Sequence, residues 1–278
     1  MNCDLKEKCK DIRCDIMTCI GHLGVGHIGG CLSIVELLAV LYFQEMNIDP
    51  AQPKMPGRDR LVCSKGHAGP AVYATLANRG YFDKKELLTL NQGGTNLPSH
   101  CDMNLTTGID MTTGSLGQGF SCAVGVALGS KLEDDGATVY AIVGDGESQE
   151  GQVWEAAMFA ASKGLGNLVG FTDYNKLQID GTVAQVNDIA PLADKWAAFG
   201  WNVIDVADGN DVEQILGALE QAKACKGKPT CLILNTVKGK GATFAEPSGA
   251  HSSQPTKEQW DEAIAASEAA LAAVKNEK

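Results

Sequence analysis

The 278-residue sequence has no stretch approaching the ~20 consecutive apolar residues of a membrane-spanning helix. Its opening, MNCDLKEKCKDIRCD, is too charged for the apolar core of a signal peptide, so a cytoplasmic protein without membrane contact is expected. Positive charge is also scarce. The 23 Lys and Arg against 34 Asp and Glu leave a net charge of -11, opposite to the basic footprint that nucleic-acid binding requires. Ten cysteines are present but no Cys-x-x-Cys pair, and their scatter reads as reduced thiols rather than as a disulfide framework. The closest group, Cys3, Cys9, Cys14 and Cys19, advances by five or six residues, which turns the thiols off any shared helical face; buried apolar thiols are expected there, not a metal site. Internal repeats and low-complexity linkers do not occur.

What remains is ordinary globular composition, 44% apolar and 21% charged. The length allows two domains, but an α/β fold often uses about 250 residues in one, and residues 1–278 are expected to form a single domain. Helical periodicity alternates with short continuous apolar runs, the pattern of an α/β protein. A helix is expected after Ser33, with Ser33 capping it, Glu36 reaching back, and Ile34, Leu37, Leu38 and Leu41 forming its buried stripe. Val212, Ile215, Leu216 and Leu219 make another apolar face, with Gly227 as its stop. Val139–Val143, Leu168–Thr172, Asn202–Val206 and Cys231–Asn235 read as buried parallel strands. An alanine-rich helix from Thr256 to about Lys275 opens with a capping pattern at Thr256 and Gln259, and the polar Asn276, Glu277 and Lys278 read as a natural chain end.

Gly24, Gly26 and Gly29 satisfy the Gly-x-Gly-x-x-Gly dinucleotide fingerprint, but that fingerprint needs a strand before it. Ile12, Ile16 and Ile20 precede it at helical spacing, so a turn between helices is expected. A better candidate is the strand Val139–Val143 running into Gly144-Asp145-Gly146, followed by a helix over 151–162 and a second strand leading to Asp173-Tyr174-Asn175. A right-handed crossover makes such strands neighbours, which brings Asp145 and Asn175 together at adjacent carboxyl ends. A carboxylate and an amide carbonyl suit a hard dication, magnesium or calcium, and diphosphate would supply further oxygens. Gly146 lets a bulky anion approach, and the next helix offers its positive end. Taken alone, an Asp-Gly turn beside a solvated asparagine is the simpler account.

The wider sequence reverses that preference. GDGESQEGQVWEAAMFAASKGLGNLVGFTDYNKLQIDG resembles the thiamine diphosphate motif in its transketolase form. GHIGGCLSIVELLAVLYF, DRLVCSKGHAGPAVYATLANRGYF, NLPSHCDM, TTGSLGQG and VKGKGATF resemble successive amino-terminal blocks of transketolase, in order, from about Gly21 to Phe244. The resemblance implies a thiamine diphosphate-binding fold, with a parallel sheet covered by helices on both faces. It also implies metal ligation by Asp145, Asn175 and the Leu177 carbonyl, and a diphosphate contact at Gly146. His67 and His27 match histidines lining the diphosphate and the substrate channel, and His100 matches a channel histidine that meets the donor sugar. Gly114, Ser115 and Leu116 match the segment facing the aminopyrimidine, Ser115 standing where some members have proline, and Leu116 and Ile179 match apolar contacts to the cofactor rings.

Glu150 matches an acidic residue at the subunit interface, although a helix N-terminal glutamate favoured by the dipole accounts for it equally. His251 aligns with a histidine near the diphosphate, but its surroundings read GAHSSQP where short transketolase subunits carry a Trp-His-Gly-like block. His22 matches no family site and reads as structural. Lys65, Lys238 and Lys240 could offset diphosphate charge, with solvated lysines the simpler expectation. Without the resemblance, histidines in glycine-rich turns would read as surface residues.

The implied activity is transfer of a two-carbon ketol unit from a ketose phosphate to an aldose, with the cofactor as electron sink and a place in the pentose phosphate pathway. The glutamate that activates the aminopyrimidine belongs to the family's pyrimidine-binding domain, and no second α/β unit of that kind is present. The chain therefore reads as one subunit of a split transketolase. A carboxy-terminal subunit carrying the pyrimidine domain would be its partner, two such pairs forming a heterotetramer. The related deoxyxylulose-phosphate synthase and a non-catalytic paralogue that only binds the partner are the alternatives, and a dehydrogenase built on Gly24, Gly26 and Gly29 is a weaker one.

Overall fold

The computed structural model describes residues 3–246, 251, 252, 254 and 256–276. Gly249, Ala250, Ser253 and Pro255 around His251, and the polar end Glu277 and Lys278, lie outside the described residues. The chain opens with α1 (Cys3–Leu23), whose Leu5, Cys9, Ile12, Ile16 and Ile20 form one buried face at spacings of three and four. Gly24, in the left-handed region at φ 84°, ends it with its N–H on the Ile20 carbonyl at 2.9 Å. The chain then enters α2 (Ile28–Leu32), so the Gly-x-Gly-x-x-Gly segment is a helix–helix turn.

The helix expected after Ser33 is α3 (Val35–Val40), and its start corrects the sequence expectation. Ile34 occupies the N-cap without a side-chain cap, because the Ser33 hydroxyl is drawn to Asp173 Oδ2 at 2.7 Å and Glu36 to Arg13 at 2.5 Å. Ile34, Leu37, Leu38 and Leu41 are all buried, but so is every residue of α3: it is a core helix, not an amphipathic one. After β1 (Arg60–Cys63) come α4 (Gly69–Arg79), α5 (Gln118–Glu133), β2 (Val139–Gly144), α6 (Gly151–Ser162) and β3 (Leu168–Asp173). The remainder holds α7 (Val183–Asn187), α8 (Leu192–Ala198), β4 (Asn202–Val206), α9 (Val212–Ala224), β5 (Thr230–Leu234) and α10 (Lys257–Asn276). α9 ends at a Cys225 cap, with Gly227 at φ 82° two residues further on. α10 has the expected capping box, Thr256 and Gln259 exchanging bonds of 2.9 and 3.3 Å.

The five strands pair in parallel in the order β1-β2-β3-β5-β4. Alternate residues point to opposite faces, and both faces are covered. Val139, Ala141 and Val143 pack with α5, α6 and α8, whereas Tyr140 and Ile142 pack with α1, α3, α4 and α9. Crossovers that advance from β2 to β3 and then return from β4 to β5 place α6 and α9 on opposite faces, as right-handed connections require. The carboxyl ends of β1, β2, β3 and β5 therefore open on one side, where the loops gather. The nine cysteines whose side chains are described are free thiols. Burial pushes Cys31 and Cys231 up to about 12, so these two are inert apolar packing.

Candidate functional site

β2 and β3 are hydrogen-bonded neighbours with Gly144 opposite Asp173, so Asp145 and Asn175 leave adjacent strand ends. Asp145 is 3% exposed; its Oδ1 accepts from the Gly146 N–H at 2.7 Å and its Oδ2 from the Lys176 N–H. Lys176 has φ 67°, a left-handed residue that turns the chain just after Asn175. The Asn175 amide oxygen accepts from the Leu177 N–H at 3.1 Å, and the Leu177 carbonyl accepts from Lys238 Nζ at 2.9 Å. Burial, then the nearby Asp173 carboxylate, raises Asp145 to about 7. A crowded buried carboxylate, an amide oxygen and a carbonyl already facing an ammonium form an oxygen donor set that a hard dication fits.

A cavity of about 240 Å³ lies over these strand ends, and its lining includes Gly30, Lys65, His67, Leu116, Asp145 and Asn175. A larger cleft of about 910 Å³ opens between α1, α9 and α10, but it contains none of the residues converging at the strand ends, so the smaller cavity is the candidate site.

Two lysines correct the sequence expectation. Lys65 is 1% and Lys238 3% exposed, so neither is a solvated lysine. Lys65 Nζ meets Asp173 Oδ2 at 2.6 Å and the Gly30 carbonyl at 2.7 Å. Burial alone would discharge Lys65, but Asp173 outweighs it and holds the ammonium above its ordinary value. Burial would likewise protonate Asp173, yet Lys65 and the hydroxyls of Thr236 and Ser33 keep it below the carboxylate norm. The pair is charged on both sides. Lys238, with no carboxylate in contact among the described residues, is lowered by burial. Lys240 remains partly exposed beside Glu246, as expected of a surface lysine.

Four histidines from four loops meet at the cavity mouth. The His27 ring centroid lies 5.5 Å from that of His67, 5.9 Å from His100 and 5.2 Å from His251, and His67 lies 5.2 Å from His251. None is a surface histidine of the kind the isolated turns suggest. Burial, then Lys65, lowers His67 to about 2; burial, then Lys238, lowers His251 to about 4; burial, then His100, lowers His27. Three neutral imidazoles able to accept or donate near pH 7 are the result. His22 is exposed in the last turn of α1, away from this group.

The segment Gly114-Ser115-Leu116 passes beside His100, whose ring is 3.4 Å from where a Cβ on Gly114 would stand. Ile179 is 73% exposed and Leu116 is also exposed, two apolar side chains presented outward at the rim. Glu150, the uncapped N-cap of α6, is exposed at the same rim. Asp173, Glu147 and Thr236, which anchor the loops from beneath, carry no sequence pattern that marks them as site residues. The nearest signal was a Lys in SKGH facing a strand-terminal Asp. Only the parallel pairing reveals that they meet.

The transketolase thiamine diphosphate-binding domain family matches residues 5–270. The chain belongs to the transketolase family. It is 56% identical over 263 residues to the 6-deoxy-6-sulfo-D-fructose transketolase subunit SqwG of Clostridium sp. (strain MSTE9), covering 94% of this chain and 95% of that one. It is 40% identical over 240 residues to an apulose-4-phosphate transketolase subunit of Phocaeicola vulgatus, covering 86% and 85%. Transketolase from Leishmania mexicana superposes with a TM-score of 0.88 at 30% identity over 96% of this chain. The chain spans 41% of that structure's length, and 42% of the transketolase from Campylobacter jejuni, which also superposes at 0.88. This transketolase-family chain is thus a diphosphate-side subunit by likeness to relatives of its own size, and its fold is the expected thiamine diphosphate-binding fold.

Proposed function

We propose that this transketolase subunit takes a two-carbon ketol unit from 6-deoxy-6-sulfofructose, or a closely similar ketose with an anionic group at its far end, and delivers it to an aldose. The observation that carries this reading is 56% identity, over 94% of the chain, to a relative named for that sugar. Removing C1 and C2 from the six-carbon donor breaks the C2–C3 bond and leaves a four-carbon aldehyde that retains the sulfonate. A 40% identical relative named for apulose 4-phosphate supports the second candidate donor. The chain acts in the cytoplasm as one domain, paired with a subunit that carries the pyrimidine-binding domain, in a heterotetramer.

Asp145, Asn175 Oδ1 and the Leu177 carbonyl would hold magnesium or calcium against the diphosphate, with Gly146 allowing close approach. Lys65, His67, Lys238 and His251 would stand along the phosphate groups, and Leu116 and Ile179 would cover the rings beside the Gly114–Leu116 backbone. Glu150, exposed at the rim, would meet the neighbouring subunit. Thiamine diphosphate supplies the electron sink on which cleavage of the C2–C3 bond depends. His27, held neutral by burial, and His100 stand at the mouth as hydrogen-bond partners, positioned to take the proton from the donor's C3 hydroxyl and return one to the acceptor's carbonyl oxygen. His67, held neutral by burial and Lys65, can donate to an anion without adding charge.

The assembled enzyme, given 6-deoxy-6-sulfofructose, apulose 4-phosphate and fructose 6-phosphate in competition, is expected to release the four-carbon sulfonated aldehyde fastest. Faster turnover of either phosphate would replace the proposed donor. No ketol transfer from any ketose would favour a non-catalytic paralogue.

A further inference from the structure

Glu147 follows the Gly144-Asp145-Gly146 turn, and its buried carboxylate is engaged on both oxygens. Oε1 accepts from Ser64 Oγ at 2.5 Å and from the Gly117 N–H at 2.8 Å, while Oε2 accepts from the Gly144 N–H at 3.0 Å. These partners belong to three segments: the end of β1, the entry to α5 and the end of β2. Ser64 Oγ in turn accepts from the Phe120 N–H at 2.8 Å. The N-cap of α5 is Gly117, at φ 83°, which has no side chain to offer its first turn. Two N–H groups at that end are therefore served from elsewhere in the chain, one by Ser64 in the manner of a capping serine and one by a carboxylate that the helix dipole favours.

We propose that Glu147 is a positioning residue for the cofactor, the tie that fixes segment 114–117 to the turn 144–146 and so sets the distance between the ring side and the diphosphate side of the site. The inference rests on the reading that Gly114–Leu116 faces the rings and Asp145–Gly146 the diphosphate. Close packing makes the tie effective. A Cβ on Gly66 would stand 2.7 Å from the Gly114 nitrogen, and one on Gly119 2.8 Å from the Ser64 Cα, so the β1 loop and segment 113–119 lie backbone against backbone. With the carboxylate in place, the three segments move as one body. Without it, the entry to α5 loses a buried charge-assisted partner and is free to drift from the turn.

The experiment compares two ligands in the assembled enzyme by calorimetry: Mg2+-thiamine diphosphate, which must span both sides, and Mg2+-pyrophosphate, which needs only one. In Glu147→Ala, affinity for thiamine diphosphate is expected to fall roughly 30-fold, the scale of one or two charge-assisted hydrogen bonds. Affinity for pyrophosphate is expected to change less than about threefold, within the spread of a site that is left intact. Glu147→Gln, which keeps an oxygen for Ser64 and Gly117 but turns its NH2 towards the Gly144 N–H, should recover part of the loss. Ser64→Ala, a milder lesion in case the alanine variant folds poorly, should show the same selective loss at about tenfold, the scale of the two modest hydrogen bonds that its hydroxyl makes. Equal loss of both ligands, loss of neither, or failure of glutamine to rescue would overturn the proposal. Thiamine diphosphate binding by the wild type tests the underlying reading, whereas the ratio of the two ligands in the variants tests Glu147 alone.

Discussion

At the scale of single residues, burial pushes the site's ionisable groups towards their neutral forms, and the partner each one has decides how far this goes. Lys65 and Asp173 are the clearest case, fully buried and 2.6 Å apart. Lys65→Met should destabilise the chain by about 3–5 kcal/mol, because it leaves the Asp173 carboxylate buried and uncompensated. Lys65→Met with Asp173→Asn should recover at least half of that in urea denaturation; no recovery would mean that the lysine acts through packing alone. The histidines titrate in the opposite sense. His251 and His67 have folded values of about 4 and 2, below the ordinary value near 6.5, so the unfolded chain binds more protons in between. Their stability contribution is complete above about pH 6.5 and is lost as pH falls towards those folded values, on the order of 1–2 kcal/mol between pH 7 and 5 for the deeply buried His67 and less for the half-exposed His251, whose charge solvent screens. His251→Gln should flatten that part of the profile, and an unchanged profile would remove His251 from the cluster. These residues were legible in the sequence to very different degrees. Spacing and strand pairing bring Asp145 and Asn175 together, and the resemblance to transketolase is what marks the pair as ligands. The burial of Lys65 depends on Gly30, Ser33 and Thr236, contributed by distant segments, and no local pattern encodes it.

At the scale of elements, glycine decides how closely the loops approach. A Cβ on Gly66 would meet backbone, the Gly114 nitrogen at 2.7 Å, whereas one on Gly146 would meet the end of a flexible side chain, Gln178 Nε2, also at 2.7 Å. Gly66→Ala should therefore cost about 2 kcal/mol of stability, and Gly146→Ala less than about 1 kcal/mol, as strain falls on rigid or movable neighbours. Thermal melts of the two variants check this, and a reversed order would show that the loops are softer than their packing suggests. β2, β3 and β5 were legible as continuous apolar runs because parallel strands covered on both faces need no alternation, whereas β4, expected to be buried, is an edge strand in which only Val206 is buried. β1, Arg60–Cys63, was not legible: with four residues, opened by a charge, it falls below what periodicity can register. The Ser33 cap was misread because Asp173, remote in sequence, competes for its hydroxyl.

At the scale of the whole molecule, a site open on one side leaves bound rings in water, where developing charge is poorly stabilised. Assayed alone, the chain should show no ketol transfer, and adding the pyrimidine-domain subunit should restore it. Turnover by the chain alone would sink the split-enzyme reading. The same architecture has a consequence for how the molecule can be watched. Three of the four tryptophans form one group on the α6 face of the sheet. Trp196 lies 5.1 Å from Trp154 and 4.9 Å from Trp201, with Phe120 edge-on to Trp196, while Trp260 packs against Phe244 on the opposite face. Trp154 Nε1 donates to the Ser148 carbonyl at 2.9 Å, directly after the turn that carries Asp145 and Glu147. Excitation absorbed anywhere in the trio is shared among rings this close, and one of those rings is tethered to that turn. The protein's own ultraviolet emission is thus wired to the loop at the end of β2, an optical gauge that needs no label.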